Sequence, residues 1–231
     1  MRSCVAALAL VVLATPAAAQ STYVAGSAVF DLARFDKVEF ANDLPRITGG
    51  AASADGEALG FNLRIGRALG ERWGLEFEFA RSGEFDNSVS YGVPFLSDFT
   101  SLPAELALLP FPEFRVELET EQRFTNYGAW AWVRQDLGGR VDLTYLGGLM
   151  FTRTNFEQEL RVTDPRLVQW ISILPDMSLT EYSISPAVGI DAGFRVSDRA
   201  AVTAGFRLHG ARVGGRTGLL LRPNVGLRWT F

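Results

Sequence analysis

The sequence predicts an all-β fold: a transmembrane, eight-stranded antiparallel up-and-down β-barrel. Three observations carry that expectation. Apolar residues recur at every second position along successive segments, as in strands whose side chains alternate between two faces. The connections between these segments alternate between short and long. Although 48% of the 231 residues are apolar, no stretch downstream of the N-terminus approaches the ~18 to 20 unbroken apolar residues of a spanning helix.

The N-terminus itself reads as an export signal. Arg2 supplies the positive start, Val5 to Ala14 the apolar run, and Ala17 to Ala19 the small residues of a cleavage site. The expected division is a signal peptide over 1–19 and one barrel domain over 20–231. The only cysteine, Cys4, lies ahead of the apolar run, so the mature chain has none. An exported chain without cysteine draws its stability from hydrogen-bonded closure and burial, not from disulfides. Its 21 remaining cations against 26 acids give a mature charge of −5, and this balance points away from a nucleic-acid partner.

In chain order, a first strand is expected near 23–30, with its parity open. Leu59, Phe61, Leu63 and Ile65 alternate with Gly60, Asn62, Arg64 and Gly66. Trp73, Leu75, Phe77 and Phe79 alternate with Gly74, Glu76, Glu78 and Ala80. A fourth strand near 124–134 leaves two alternatives: Trp130 and Trp132 face lipid, or Tyr127, Ala129, Ala131 and Val133 do. Val141, Leu143, Tyr145, Leu149 and Phe151 oppose Asp142, Thr144, Gly148 and Thr152. Tyr182, Ile184, Val188, Ile190, Ala192 and Phe194 oppose Ser183, Ser185, Gly189, Asp191, Gly193 and Arg195. Val202, Ala204, Phe206 and Leu208 alternate with Thr203, Gly205, Arg207 and His209. The last strand is the clearest: Leu219 to Phe231 keep one apolar parity, and Leu220, Arg222, Asn224, Gly226, Arg228 and Thr230 keep the other.

Short turns are expected at 68–72, 136–140 and 197–200. Long connections fall at 31–56, 83–120 and 155–180, with a shorter one near 210–217. Such alternation fits a barrel whose tight turns all lie on one side of a membrane. A soluble sandwich would share the period but would place charge on its outer face. Here the less apolar parity is rich in glycine and opposite charges, which suits the crowded interior of a narrow barrel. The fourth and fifth strands read as longer than a membrane needs: Phe114, Val116 and Leu118 continue one alternation, and Phe156, Leu160 and Val162 the other. Counted outward from the 136–140 turn, the two stretches face each other, so this hairpin is expected to project; two roles are open to it, an edge for strand addition or a support for the loops.

The closing segment, Arg222 to Phe231, resembles the C-terminal recognition strand of Gram-negative outer-membrane proteins. Val225, Leu227, Trp229 and Phe231 stand at its apolar positions. The stretch Ala187 to Arg199 resembles the strand–turn pattern of OmpA-like and opacity-like eight-stranded barrels. In architecture the likeness covers the whole mature chain; in motif it is specific only at these two places, and Pro186 and Pro223 within strands depart from it. The resemblance implies outer-membrane localisation, and contact with outer-membrane lipid and lipopolysaccharide. It also implies recognition of the terminal strand by the barrel-assembly machinery.

The expected interior polar set is Arg64, Glu76, Glu78, Asp142, Asp191, Arg195, Arg207, Arg222 and Arg228. An ion path and a packed network of ion pairs are both compatible with it, and the narrow lumen favours the network. His209, the only histidine, is placed near the extracellular rim. It has no nucleophile signature around it, so no catalytic residue is expected. One histidine and no mature cysteine argue against a transition-metal site, and no cofactor is expected. The long loops are oddly apolar, and Leu106, Leu109, Phe111, Trp170 and Ile171 form a candidate contact site. The expected role is structural, envelope-stabilising or adhesive, with host or envelope proteins met through the loops. The alternative is a port or carrier for small hydrophobic molecules.

Overall fold

The structure, a computed structural model, describes residues 21–35, 55–93, 114–162 and 177–231. The expected signal segment and the loop residues Leu106, Leu109, Phe111, Trp170 and Ile171 lie outside the described residues.

Nine strand segments follow one another: β1 (Thr22–Arg34), β2 (Gly56–Ala68), β3 (Trp73–Arg81), β4 (Phe85–Val93), β5 (Phe114–Gly138), β6 (Val141–Val162), β7 (Met177–Arg195), β8 (Ala200–Val213) and β9 (Arg216–Thr230). All described pairings are antiparallel, and the ring runs β3-β2-β1-β9-β8-β7-β6-β5, with β5 pairing back to β3. β3 and β4 lie end to end along β5, so the wall is crossed eight times. Between them, Arg81 opposes Thr125 and Phe85 opposes Gln122, so one strand carries an extra residue. Such a bulge bends the strand away from its old neighbour. Ser82 holds the break to β5, its N donating to the Phe124 carbonyl at 3.0 Å, and Gly83 N donates to the Leu59 carbonyl of β2 at 2.7 Å. Beyond that point β4 pairs with β5.

The two faces follow the alternation. Leu59, Leu63, Ile184, Val188, Val225 and Leu227 are exposed on the outside, while Arg64, Glu76, Asp191, Arg207 and Arg222 are buried inside. Inverting the soluble order is stable only where the outer medium is lipid, and closure leaves no unpaired edge within the wall. The two open parities are settled. In β1, Tyr23, Ala25, Ser27, Val29 and Asp31 point inward. In β5, Trp130 and Trp132 point inward at 2% exposure, and Tyr127 and Val133 face out.

The short turns close by local chemistry. Gly138 and Gly139 adopt φ of 92° and 62°, conformations open to glycine at no steric cost. At the other end of the barrel, the expected loop near 210–217 is instead a two-residue hairpin. Val213 pairs with Arg216 around Gly214 and Gly215, whose φ values are 54° and 77°. Two consecutive positive φ values make the turn whose twist matches its strands. The prolines mark interrupted ladders. β7 pairs with β8 only from Ala187 onward, one residue past Pro186. The β1–β9 ladder skips from Asn224 to Leu221, across Pro223.

The hairpin expected to project beyond the barrel does so. β5 and β6 have 25 and 22 residues and stay paired out to Val116 and Val162. β4 flanks the end of β5, and β7 flanks the end of β6 from Gln158 downward. A four-stranded sheet, β4-β5-β6-β7, therefore stands beyond the closed barrel. β4 alone contributes 9 residues, or about 30 Å at ~3.4 Å each.

Candidate functional site

The lumen is filled in layers, and the strand register dictates which residues meet. On the side of the short turns, Arg228 donates to both oxygens of Asp142, at 2.9 and 3.3 Å. The Arg134 guanidinium lies 4.9 Å from the Trp132 ring and that of Arg228 5.8 Å from the Tyr23 ring, distances at which a cation is attracted to the ring face. A vestibule of about 840 Å³ opens here, lined by Arg72, Arg134, Asp142, Arg199 and Arg228 among others. Arg195 also lines it. Arg195 is the one member of the expected interior set that lies outside it: it is exposed, and it donates to Asp136 and to the Gly139 carbonyl, both at 3.1 Å. Its parity is inward, but β7 ends there, so the side chain meets water at the mouth.

Above the vestibule, polar side chains from five strands converge. Arg207 of β8 donates to Asp191 of β7 through two nitrogens, at 2.6 and 2.9 Å. It also lies 3.5 Å from Glu76 and from Glu78 of β3. Arg64 of β2 reaches the same aspartate at 2.6 Å and stands 3.9 Å from Glu76. The Tyr23 hydroxyl of β1 donates to Glu76 at 2.6 Å. One step further, Arg222 of β9 pairs with Asp31 at 2.5 Å and with Glu78 at 3.4 Å, and the Asn62 amide donates to Glu78 at 3.4 Å. Five carboxylates (Asp31, Glu76, Glu78, Asp142, Asp191) thus face five guanidiniums (Arg64, Arg134, Arg207, Arg222, Arg228) across the lumen. Buried charge is tolerated when it is paired in this way, and a lumen this narrow is filled by the pairs themselves.

Asp31, Tyr23, Asn62 and Arg134 belong to this network but are absent from the set expected from sequence. The sequence pattern marks the first strand only as far as Phe30 and leaves its parity open. The contrast of Val24 and Phe30 with Ser27 and Asp31 is the signal that finds the inward face of β1.

The layer towards the long loops is apolar. Phe35, Phe85, Phe124, Phe156, Val213 and Leu220 cluster with small neighbours, with Phe35 stacked on Phe124 at 6.0 Å and Phe85 edge-on to it at 5.3 Å. His209 is not at the rim: β8 continues to Val213, and the imidazole is buried at 2% exposure. Its Nδ1 lies 3.1 Å from the Gly210 carbonyl. Ser185 sits beside it on β7, its hydroxyl donating to that same carbonyl at 2.8 Å and accepting from Gly210 N at 3.1 Å. Among the described residues no carboxylate hydrogen-bonds to the imidazole, and no group of metal-ligating side chains occurs.

Val225, Leu227, Trp229 and Phe231, the residues expected to form an assembly signal, lie on the outer face, all exposed. The outer face also carries a row of rings, Phe61–Phe79–Tyr127–Phe151–Tyr182, with centroids 5.5 to 6.1 Å apart.

The chain is similar in structure to Ail, the attachment invasion locus protein of Yersinia pestis, solved in complex with the heparin analogue sucrose octasulfate. The TM-score is 0.47 at 13% identity, covering 91% of this chain and 99% of that one. Neisserial surface protein A matches with a TM-score of 0.45 at 15% identity, over 91% and 97% of the two chains. The outer membrane protein OprG of Pseudomonas aeruginosa gives 0.44 at 13% identity, over 92% and 96%. No curated protein matches the sequence. The family model for the outer membrane protein beta-barrel domain matches residues 5–218, and the chain, a closed antiparallel barrel with its polar face inward, belongs to that family.

Proposed function

We propose that this protein is a non-enzymatic surface-interaction protein, in which the barrel is an anchor and the projecting sheet is the working part. The observation that carries this reading is the sheet itself. It continues well past the closed ring, and its two outer strands lack a ladder partner on one side among the described residues. Unpaired backbone donors and acceptors on an exposed strand are a template for an incoming extended segment. The lumen supports the same reading, since ion pairs fill the route a solute would need.

Whole-cell adhesion tests it. On β7, Pro186 breaks the β8 side of the ladder while the β6 side continues, so residues at even spacing from it turn their N–H groups to the open edge. Replacing Ser178 and Thr180 by Pro removes edge donors and leaves the β6 ladder. Cells displaying the parent protein should adhere to protein-coated surfaces or to epithelial monolayers better than cells displaying S178P/T180P. Equal adhesion by both, and by cells lacking the protein, removes the interactive role and leaves envelope stabilisation, read as detergent sensitivity of a deletion strain. A second reading, a port for small hydrophobic molecules, draws on the apolar layer of the upper lumen. Loss of uptake of such a compound on deletion would favour it.

A further inference from the structure

We propose that Arg81 and Arg153, on the outer face of the barrel, clasp a phosphate of an outer-leaflet lipid headgroup. The backbone register sets Arg81 of β3 and Arg153 of β6 on either side of Thr125 of β5. Both arginines are exposed, with outward parity. Two interstrand steps of about 4.8 Å separate their backbones by about 10 Å. Two long guanidinium arms close that gap from opposite sides onto one tetrahedral anion, and the Thr125 hydroxyl between them is a third donor.

The trio stands where the outer face changes character. One step down the same strands lie Phe79, Tyr127 and Phe151, with ring centroids 5.5 and 6.1 Å apart, and below them Phe77, Ala129 and Leu149. One step up lie Arg123 and Asn155, followed by the paired Glu121 and Glu157. Arg81 is eight residues beyond Trp73, and Arg153 twelve beyond Val141, along β3 and β6. At ~3.3 Å per residue and ~40° of tilt they stand about 20 and 30 Å from the turn side, bracketing the ~25 Å apolar band of such barrels.

Arg123 is neutralised by Glu84, but neither Arg81 nor Arg153 has a carboxylate partner among the described residues. Arg153 is nevertheless held: its Nε donates to Asn155 Oδ1 at 3.0 Å, and that oxygen also accepts from Thr180 at 3.4 Å. Among the described residues, neither terminal nitrogen of Arg153 has a partner. Two free guanidiniums at the edge of lipid call for an anion, and the guanidinium fork matches phosphate geometry. The rings directly below select the source. Only a molecule that carries phosphate and acyl chains together covers the arginines and the aromatic row at once, with the rings at the headgroup boundary.

The test uses the full chain in phosphatidylcholine nanodiscs containing bisphosphorylated lipid A, with retained lipid A counted by native mass spectrometry. The double variant R81Q/R153Q should lose retention by at least about tenfold, given two charge-assisted contacts removed. R212Q, which removes an exposed arginine of β8 elsewhere on the rim, should match the parent. Fully dephosphorylated lipid A should not distinguish the parent from the double variant, and excess inorganic phosphate should not displace the lipid. The proposal is overturned if R81Q/R153Q retains lipid A like the parent, if the dephosphorylated lipid is retained equally well, or if free phosphate competes it away. Heat-modifiable migration verifies that each variant folds, and R153Q alone gives the same comparison with a smaller loss.

Discussion

Replacing Arg207 with Met keeps most of the side-chain volume and drops the charge, which isolates the electrostatic part of the lumen's stability. The central cluster holds Asp31, Glu76, Glu78 and Asp191 against Arg64, Arg207 and Arg222, a sum of −1. Losing Arg207 makes that −2 and strips Asp191 of contacts at 2.6 and 2.9 Å, while Glu76 and Glu78 each lose a cation at 3.5 Å. Removing one partner of a buried pair costs about 3 to 5 kcal/mol, which lowers the folded-to-unfolded ratio by roughly two to three and a half decades. The compensating change is Asp191→Leu. In R207M/D191L the cluster returns to −1, and Arg64 keeps Glu76 at 3.9 Å, so most of the loss should be recovered, because apolar replacement of a whole buried pair is close to neutral. Urea unfolding in lipid vesicles reads both variants by tryptophan fluorescence, with Trp130 5.3 Å from the Arg207 guanidinium. An R207M variant within about 1 kcal/mol of the parent, or a double variant no more stable than R207M, would refute compensated charge as what holds the lumen.

Planar-bilayer recordings should show no stable, large conductance, since ion pairs fill the lumen across its width; a steady open channel would contradict that packing. In single-tryptophan variants, brominated acyl chains should quench Trp73 and Trp229, which are 52% and 46% exposed, and spare Trp130 and Trp132 at 2%; equal quenching would reverse the parity of β5. Gly205→Ala should destabilise by about 1 to 3 kcal/mol, because its Cβ would stand 2.0 Å from Asp191 Oδ1 and 2.3 Å from the Ile190 carbonyl; a neutral result in urea unfolding would mean that the Asp191 cluster is free to shift. Deleting Phe231 should impair insertion into the outer membrane, and normal heat-modifiable migration of the truncated protein in cell envelopes would contradict the terminal aromatic as an assembly cue.

The wall was legible because lipid enforces a simple rule on it. Where the outward parity is Leu, Ile, Val or Phe and the inward parity is charged or Gly, as in β2, β3, β8 and β9, period two assigns both faces. The rule failed in β1 and β5. Ala25, Gly26, Ser27 and Ala28 put small residues on both parities of β1, so hydropathy carries no contrast over 25–28 and only the flanking Val24, Phe30 and Asp31 supply one. β5 inverts the contrast, with Ala129 and Ala131 facing out and Trp130 and Trp132 facing in. Each inward ring meets an arginine, Arg207 at Trp130 and Arg134 at Trp132. Arg207 is 77 positions from Trp130, a distance at which no local pattern exposes the match. Strand ends were the other weak point: Asp31, His209 and Arg195 lie just past or just short of a boundary, where one or two residues decide between lumen, rim and solvent.

The division of the lumen into a charged lower part and an apolar upper part follows from the same strand ends. β4 leaves β2 at the Ser82–Glu84 bulge, and β7 leaves the β8 ladder at Pro186. From there four strands continue without a ring to close them. A long sheet in water needs one face covered at its base, or its register is weakly held. Phe85, Phe124 and Phe156 supply that face from β4, β5 and β6, and Phe35, Val213 and Leu220 cover it from the chain end of β1 and the β8–β9 hairpin. The Phe35–Phe124 stack and the Phe85–Phe124 edge contact leave these rings packed against one another. The apolar layer is thus the core of the projecting sheet as much as the top of the barrel. That accounts for its composition without a hydrophobic passenger, and it fixes the direction in which the sheet stands above the membrane.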